Sequence, residues 1–325
     1  AVGQDPQFTQ FYSSPQYLNP AYTGLTKQHR FAANYRNQWP GVKKNFQTSL
    51  VAYDGKLASI NSGIGFFVMQ DVAGIAGLKH SQAGLSYAYR FNINDKSEIR
   101  AGLSASYNIK SVGFSKLVFN DMLVTGSGIS SEGNNYSQKK YLDINAGLLY
   151  NSNKMWFGVA AKHLNQPNVS LLNGSDALPM NIGIHGGYRF TFKSKEEEVE
   201  SKPVTKAQAK PVPEPKKYIA VAFNYKHMKK YDQFDLGLYY YLEPLTVGVW
   251  YRGIPFKNYS SAFINNESIA FLIGCVIPKS NLRIGYSYDL TISSLGINNT
   301  KGAHEISLVY EFGKEKKAPV RRIIS

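Results

Sequence analysis

Residues 98–110 read EIRAGLSASYNIK, and this stretch decides the fold class of the chain. Its apolar side chains occupy every second position from Ile99 to Ile109. The positions between them hold Arg, Gly, Ser and Asn, with Glu98 and Lys110 at the two ends. Successive side chains of a β-strand point to opposite faces, so this period of two predicts a strand with one apolar and one polar face.

The same alternation recurs along the chain, for example over residues 142–150, 182–192 and 306–312. It predicts about fourteen strands, and most have the length of about 9 to 11 residues with which a strand crosses a bilayer. The predicted strands cover residues 30–38, 46–54, 62–71, 80–91, 97–110, 140–151, 155–163, 181–192, 218–227, 231–242, 245–251, 268–277, 282–288 and 304–312.

The composition argues against a helical membrane protein and against a nucleic-acid partner. The 325 residues contain no apolar run of 18, and 23 Tyr, 18 Phe and 28 Gly favour strands and turns. The net charge is +15, but Lys and Arg are scattered singly instead of being gathered on one face, so we expect no nucleic-acid binding. Cys275 is the single cysteine and cannot form an intrachain disulfide. The opening AVGQDPQ has no apolar leader, as expected of the mature form of an exported protein.

Alternation by itself fits either a soluble barrel with an apolar interior or a membrane barrel with an apolar exterior. Aromatic residues sit mainly at the ends of the predicted strands, as Tyr35 and Trp39 do, and this placement is typical of the aromatic girdles of a membrane barrel. We therefore predict an all-β, transmembrane outer-membrane β-barrel of about 14 antiparallel strands.

The connections between the predicted strands support this fold, because outer-membrane barrels have short periplasmic turns and longer external loops. If the first strand runs outward, the short connections fall on the periplasmic side, and so do both chain termini. These short connections are residues 92–96, 151–154, 243–244 and 278–281. The long connections then fall on the outer side, at residues 111–139, 164–180, 252–267 and 289–303.

Three segments lie outside the alternating pattern of the barrel, which we assign to residues 30–312. Residues 1–29 are rich in aromatics without alternation, and we expect them to plug the lumen or to dock on a partner. Residues 193–217 are rich in Lys, Glu and Pro and predict a disordered periplasmic insert, either a tolerated linker or a docking tether. Residues 313–325 form a basic periplasmic tail.

No arrangement of residues indicates catalysis, a metal site or a cofactor site. The six histidines share no i, i+4 spacing, and Cys275 has no thiol partner, so zinc is not expected. His185 falls on the polar face with no serine placed beside it by the sequence, which argues against an outer-membrane phospholipase. We therefore expect a protein that is not an enzyme.

Charged residues of the strands fall on the polar face and would line the lumen. They could form an interior salt-bridge network, the wall of an open channel, or a site for a specific ligand. The predicted lumen charges are Arg90, Arg100, Asp143, Arg189, Asp235, Arg283, Asp289 and Glu305.

Motifs at the two ends of the chain resemble the PorP/SprF family of outer-membrane proteins from Bacteroidota. The opening signature of the family is matched by DPQFTQFY at 5–12 and LNPAYTG at 18–24, and its next element by YRNQWP at 35–40. Its closing strands are matched by GYSYD at 285–289 and GAHEISL at 302–308. The insert at 193–217 and the basic tail depart from the pattern.

This resemblance implies a non-enzymatic outer-membrane component of the type IX secretion system. Implied partners are a large secreted surface adhesin, in some members a gliding adhesin, with translocon and periplasmic ring components. Outer-membrane lipid or lipopolysaccharide would surround the barrel. The alternatives are a porin or solute transporter that uses the charged lumen, and a soluble all-β binding protein.

Candidate contact residues come from both ends of the predicted barrel. We expect Asp5 and the Asn19-Pro20 turn to pair with the inward-facing Arg36 and Arg283, so that residues 1–29 close the periplasmic mouth. Aromatics dominate interface energetics, so external-loop aromatics are predicted contacts for an adhesin. The plug or partner candidates are Asp5, Pro6, Phe8, Phe11, Tyr12, Asn19, Pro20, Arg36 and Trp39, and the external-loop candidates are Tyr136, Tyr259 and Phe263.

Overall fold

The computed structural model shows fourteen strands that form one closed antiparallel barrel, in which each strand pairs with its sequence neighbours and β1 pairs with β14. The structure describes residues 5–26, 28–43, 45–74, 77–112, 138–171, 174–192, 217–260, 263–277 and 280–313. The strands are β1 (His29–Gln38), β2 (Phe46–Leu57), β3 (Ser62–Ala73), β4 (Leu78–Asn94), β5 (Ser97–Ser111), β6 (Gln138–Ser152), β7 (Met155–Lys162), β8 (Asn181–Thr191), β9 (Lys217–Met228), β10 (Tyr231–Leu242), β11 (Leu245–Ser260), β12 (Phe263–Ile277), β13 (Leu282–Thr291) and β14 (Ala303–Phe312).

All fourteen predicted strands are present, and the predicted closed antiparallel fold is confirmed. The clearest difference lies in the hairpin of β11 and β12, where the sequence predicted an external loop over 252–267. The strands instead continue to Ser260 and start again at Phe263. Register shifts follow Arg252 and Ile254, and such bulges interrupt the alternation on which the prediction depended.

The apolar side chains of the strands point outward, and the polar ones point inward. Leu85, Leu103 and Leu142 are 65%, 59% and 62% exposed on the outer surface. The neighbouring Ser104 and Asp143 on the other face are buried. A barrel whose exterior is apolar in this way presents that surface to lipid.

The two ends of the barrel differ in their connections. At the short-turn end, where β1 begins and β14 ends, residues 95–96, 153–154 and 243–244 join neighbouring strands. At the long-loop end, where β1 ends and β14 begins, the connections include residues 163–180 and 292–302.

Helical structure among the described residues is limited to short pieces. Helices α1 (Pro15–Leu18) and α2 (Ile297–Thr300) have four residues each, and 3-10 turns cover Pro20–Tyr22 and Ala58–Ile60. Within the ranges that the structure describes, none of the helices is long and apolar enough to cross a membrane.

Candidate functional site

Residues 5–26, which we call the N-terminal arm, lie inside the barrel. Their side-chain and backbone groups form hydrogen bonds with residues of at least twelve of the fourteen strands. Asn19, Ala21 and Thr23 have no exposed surface. The interior of the barrel is therefore built around the arm, and the contacts between arm and wall are the candidate site.

At the long-loop end, an acidic side chain of the wall binds the backbone of the arm. The Thr9 and Gln10 N–H groups donate to Glu305 Oε2 and Oε1, at 2.6 and 3.0 Å. Glu305 is fully buried. Its two carboxylate oxygens thus satisfy two consecutive main-chain donors, and hydrogen bonds to a buried charged acceptor are stronger than neutral ones.

Two arginines pair with Glu305 and with two neighbouring carboxylates, those of Asp289 and Asp235. Arg36 Nη2 lies 2.7 Å from Asp289 Oδ2, and Arg36 Nη1 lies 3.4 Å from Glu305 Oε2. Arg252 lies 3.3 Å from the same Asp289 oxygen and 3.2 Å from Asp235 Oδ1. All five side chains are buried, so each charge depends on its partners, and removal of one would leave the others uncompensated.

The hydroxyl of Thr9 lies at the centre of this network. It donates to Asp289 Oδ2 at 2.7 Å and accepts from Arg36 Nη1 at 2.6 Å and from Arg252 Nη2 at 3.4 Å. The arm therefore supplies a member of the charge network. The predicted interior salt bridges are present among the described residues, and they include the arm as well as the wall.

Asp5 is held at the same end by a histidine that lies between two carboxylates. His163 Nε2 lies 3.1 Å from Asp5 Oδ1, and His163 Nδ1 lies 2.9 Å from Asp143 Oδ1. Burial alone would lower the pKa of His163, but the two carboxylates raise it to about 9. Burial alone would raise the pKa of Asp5, but His163 and Lys162 hold it below its usual range. An imidazolium thus lies between the side chains of Asp5 and Asp143 at neutral pH.

Aromatic side chains of the arm pack on the wall. Phe8 is 4% exposed, contacts a cluster that includes Leu50 and Phe67, and meets Tyr17 edge-on at 5.8 Å between ring centroids. On the opposite side of the barrel, Phe11 meets Trp250 edge-on at 5.0 Å. Edge-to-face pairs of this kind add to the free energy gained by burying apolar area.

Tyr12 continues this aromatic contact and meets Tyr239 edge-on at 5.3 Å between ring centroids. It remains 41% exposed although it belongs to the arm. Tyr12 therefore packs less completely than the other arm aromatics.

The middle of the arm is fixed by the turn at Asn19 and Pro20. The side-chain amide of Asn19 donates to the carbonyl oxygens of Leu148 and Val159, at 3.0 and 3.2 Å, and lies 3.1 Å from His185 Nε2. Its Oδ1 accepts the N–H of Ala21 and caps the 3-10 turn that begins at Pro20. One side chain thus joins β6, β7 and β8 to the arm.

Arg100 and Asp54 hold the arm at the short-turn end, and Arg30 supports Asp54. Arg100 donates from Nε to the Ala21 carbonyl at 2.9 Å and from Nη2 to the Thr23 carbonyl. The Gly24 N–H donates to Asp54 Oδ2 at 2.7 Å, and Arg30 forms a paired contact with the same carboxylate. Most of these contacts again involve main-chain atoms of the arm.

Inward-facing glycines allow the arm to approach the wall closely. A Cβ built on Gly102 would lie 2.3 Å from Ala21 N, and one on Gly147 would lie 2.0 Å from Asn19 Oδ1. A Cβ on Gly63 would lie 2.2 Å from the Thr23 carbonyl oxygen. Each distance is far below van der Waals contact, so the wall has space for the arm only because these positions lack side chains.

The remaining predicted lumen charges occupy the short-turn half. Arg90 lies 3.9 Å from Glu98, and Arg189 stacks over the Trp156 ring at 5.1 Å. Arg283 pairs with Glu311 and is 52% exposed at the rim, so it does not pair with Asp5 or Asn19 as expected. The alternation places Arg283 on the inner face but does not show that this part of the face lies at the open end of the barrel.

The predicted pairing of Asp5 is also corrected. Asp5 pairs with His163 instead of Arg36, and the arm extends from the short-turn mouth through the lumen to the long-loop end. Two other candidates, Trp39 and Pro6, have the following contacts. Trp39 follows β1 at the long-loop end, where its backbone N–H donates to the Gly302 carbonyl at 2.8 Å and its ring meets Phe46. Pro6 accepts a hydrogen bond from the Tyr17 hydroxyl through its carbonyl oxygen.

The predicted external-loop contacts have different outcomes. Tyr136 lies outside the described residues, as do residues 193–216 of the insert and residues 314–325 of the tail. Tyr259 and Phe263 belong to the extended strands β11 and β12 and not to an external loop. Their strand assignment follows from the longer hairpin described above.

Sequence reasoning missed two central residues, Arg252 and His163. Arg252 follows Trp250 by two positions and therefore shares its inward face, but the prediction ended that strand at residue 251. His163 comes directly after β7, where alternation gives no indication of its partners. Extending the period by one residue beyond Tyr251 would have identified Arg252, which precedes the register shift at Gly253.

A small cavity of about 30 Å³ lies between the arm and the wall at the long-loop end. Its lining includes Asp5, Tyr17, His80, Tyr141 and Lys162. The Lys162 ammonium lies 4.0 Å from the centroid of the Tyr17 ring. In the parts of the chain that the structure describes, no group of three or more His, Cys, Asp or Glu side chains is arranged to hold a metal ion.

Comparisons with known proteins agree with the barrel. A family model described as "Type IX secretion system membrane protein PorP/SprF" matches residues 1–310. No curated protein matches the chain.

Among solved structures, the CymD monoaromatic hydrocarbon channel is 12% identical, with a TM-score of 0.51 and coverage of 94% of this chain and 94% of that chain. The toluene transporter TodX of P. putida is 10% identical, with a TM-score of 0.52 and coverage of 91% of this chain and 93% of that chain. At these identities the likeness concerns the fold alone, and the predicted outer-membrane type of β-barrel is confirmed.

Proposed function

The chain belongs to the PorP/SprF family of type IX secretion system membrane proteins, and from this premise we propose that it is a non-enzymatic binding component of that system. In this proposal the barrel holds a large exported adhesin at the cell surface, helps to export or anchor it, and contacts translocon or periplasmic ring components. A role in gliding motility would follow if the cargo is a gliding adhesin.

The observation that carries this proposal is that the lumen charges are buried and paired. Arg36, Arg252, Asp289 and Glu305 are buried, and they contact one another and the arm. A solute channel needs charged groups that are hydrated and accessible to the solute. These four charges are instead desolvated and paired, which supports a rigid scaffold whose interior is closed by its own arm.

Orientation is part of the same proposal. Outer-membrane barrels place short turns in the periplasm and long loops outside. The long-loop end would then face the cell surface and the adhesin, while the short-turn end with the insert at 193–217 and the tail at 313–325 would face the periplasmic components. Tyr136 remains a candidate contact on the outer side, as do Tyr259 and Phe263 at the tip of the β11–β12 hairpin.

A porin or solute transporter is the second candidate, and the cavity beside Lys162 and His163 is the observation that favours it. Planar-bilayer conductance separates the two functions. The scaffold proposal expects a sealed barrel, with conductance appearing when Phe8, Phe11 and Tyr12 are all replaced by Ala. Steady conductance of the parent would support the channel instead.

The decisive experiment combines two measurements in the native host. The tagged barrel is purified in mild detergent, and the surface proteome of a deletion strain is compared with that of its complemented strain. We expect one large surface protein to be recovered stoichiometrically with secretion components and to be lost from the surface in the deletion strain. Recovery of the barrel alone, with an unchanged surface proteome, would refute the proposal.

A further inference from the structure

We infer that the arm crosses the whole lumen and presents its first residues on the long-loop face of the barrel, where they form part of the surface offered to a partner on that side. The even number of strands predicts both chain ends at the short-turn end. The contacts of the arm assign its two ends to opposite mouths.

The N-terminal end of the arm contacts residues that lie at the long-loop end of the barrel. Asn181 is the first residue of β8, and its amide donates to Asp5 Oδ2 at 2.9 Å. His163, the other partner of Asp5, directly follows β7. Gln7 donates to Gln233, the third residue of β10, at 2.6 Å.

The last residues of the arm lie at the opposite mouth. Asp54 is near the end of β2 and accepts the Gly24 N–H at 2.7 Å. It pairs in register with Arg30, the second residue of β1. The arm thus reaches the short-turn end immediately before β1 begins and returns the chain toward the long-loop end.

The spacing is consistent with a complete crossing. Residues Arg30 and Arg36, which mark the two contact levels on β1, are six residues apart, or about 20 Å along a strand. The arm covers the corresponding interval from Thr9 to Gly24 in 15 residue steps, some of which are taken up by α1 and the 3-10 turn. An extended chain of this length spans more than the required distance.

In the proposed orientation, on which this inference rests, the long-loop face is the cell surface. A partner there, namely an exported polypeptide, would meet Asp5, Pro6 and Gln7 together with the long connections. A periplasmic partner would meet only the end of the arm near Gly24. Because the arm contacts the wall along its full path, displacement of Asp5 from outside would disturb contacts that extend to the short-turn end.

Cysteine labelling on intact cells tests this arrangement in the full-length protein. In a Cys275→Ser background, one variant carries a cysteine inserted directly ahead of Asp5. Two matched controls place a cysteine in an exposed turn at each end, Lys230→Cys at the long-loop end and Asp95→Cys at the short-turn end. Each strain is treated with a membrane-impermeant maleimide before and after the outer membrane is permeabilised, and folding is checked by heat-modifiable gel mobility.

We expect the inserted cysteine to be labelled on intact cells as fully as Lys230→Cys, while Asp95→Cys is labelled only after permeabilisation. If the inserted cysteine behaves like Asp95→Cys, or stays unlabelled under both conditions, the inference is wrong although the orientation holds. If Asp95→Cys is labelled on intact cells and Lys230→Cys is not, the proposed orientation fails. If, in that case, the inserted cysteine and Lys230→Cys are both labelled only after permeabilisation, the arm still ends at the long-loop mouth, but its first residues are not displayed at the cell surface.

Discussion

The substitution Gly102→Ala tests the close seating of the arm on the barrel wall. The new Cβ would lie 2.3 Å from Ala21 N and 2.4 Å from Pro20 C. Ordinary contact begins near 3.4 Å, so the arm must move by about 1 Å (3.4 − 2.3 = 1.1). Ala21 is fully buried, and the close atoms are backbone rather than a flexible side chain. The strain can therefore be relieved only by moving buried backbone.

The magnitude follows from the hydrogen bonds at this place. Arg100 donates to the Ala21 carbonyl at 2.9 Å, and a bond from a charged donor contributes about 1.5 to 3 kcal/mol. Asn19 makes further neutral bonds to the carbonyl oxygens of Leu148 and Val159, each contributing about 1 kcal/mol. Loss of the first and weakening of the others gives about 3 kcal/mol, or roughly a 100-fold larger population of undocked arm.

Limited chymotrypsin digestion in detergent measures this population, because cleavage of a transiently open segment follows its equilibrium opening. Mass spectrometry would record peptides that end at Phe8, Phe11 or Tyr12. The matched control is Gly183→Ala, whose Cβ would meet only the carbonyl oxygens of Tyr225 and Ala160, at 3.8 and 3.9 Å.

We expect arm peptides to appear about 100-fold faster from Gly102→Ala than from the parent, and at the parental rate from the control. Both variants should keep the heat-modifiable mobility of a folded barrel. Equal cleavage rates for Gly102→Ala and the parent would refute the reasoning, because the arm would then not be seated on Gly102.

Three further predictions concern charge and the insert. Because its pKa is raised to about 9, protonated His163 stabilises the docked arm fully below pH 6.5, and this stabilisation is lost as the pH rises through about 9. Arm cleavage should therefore accelerate near pH 9 in the parent but not in His163→Gln. Glu305→Gln replaces one acceptor of the Thr9 and Gln10 N–H groups by a donor and should destabilise the barrel by about 3 to 5 kcal/mol in denaturant unfolding; a parental midpoint would contradict this. Deletion of 195–215 should leave a folded barrel with parental mobility, whereas loss of folding would show that the insert is structural.

The strands could be predicted because each one shows the alternation of apolar and polar residues within its own sequence. A stretch such as 98–110 must alternate if one face meets lipid and the other the interior, and every predicted strand was found in this way. The prediction lost accuracy where that constraint is relaxed. In β11 and β12 the register shifts after Arg252 break the period, so the sequence predicts a loop where the chain forms a hairpin.

The sequence predicts many residues of the site but not which of them contact one another. Alternation along the strands predicts that Glu305 and Asp289 face the lumen. The absence of alternation in residues 1–29 predicts that the arm aromatics lie outside the barrel wall. Several of their contacts join residues more than 200 positions apart, such as Thr9 and Glu305, and neither periodicity nor local spacing contains that information. The same limit explains why Asp5 was paired with arginine instead of His163.

The sequence by itself predicted a membrane barrel, since a period of two in fourteen stretches gives each strand one apolar and one polar face, and aromatic residues at the strand ends favour the membrane form over a soluble barrel. Only the tertiary structure decided what fills the lumen. The arm has no period of its own, and its path depends on wall groups that converge when the barrel closes. Glu305, Arg100 and Asp54 then bind its backbone at successive levels, and Gly63 and Gly102 leave space for it.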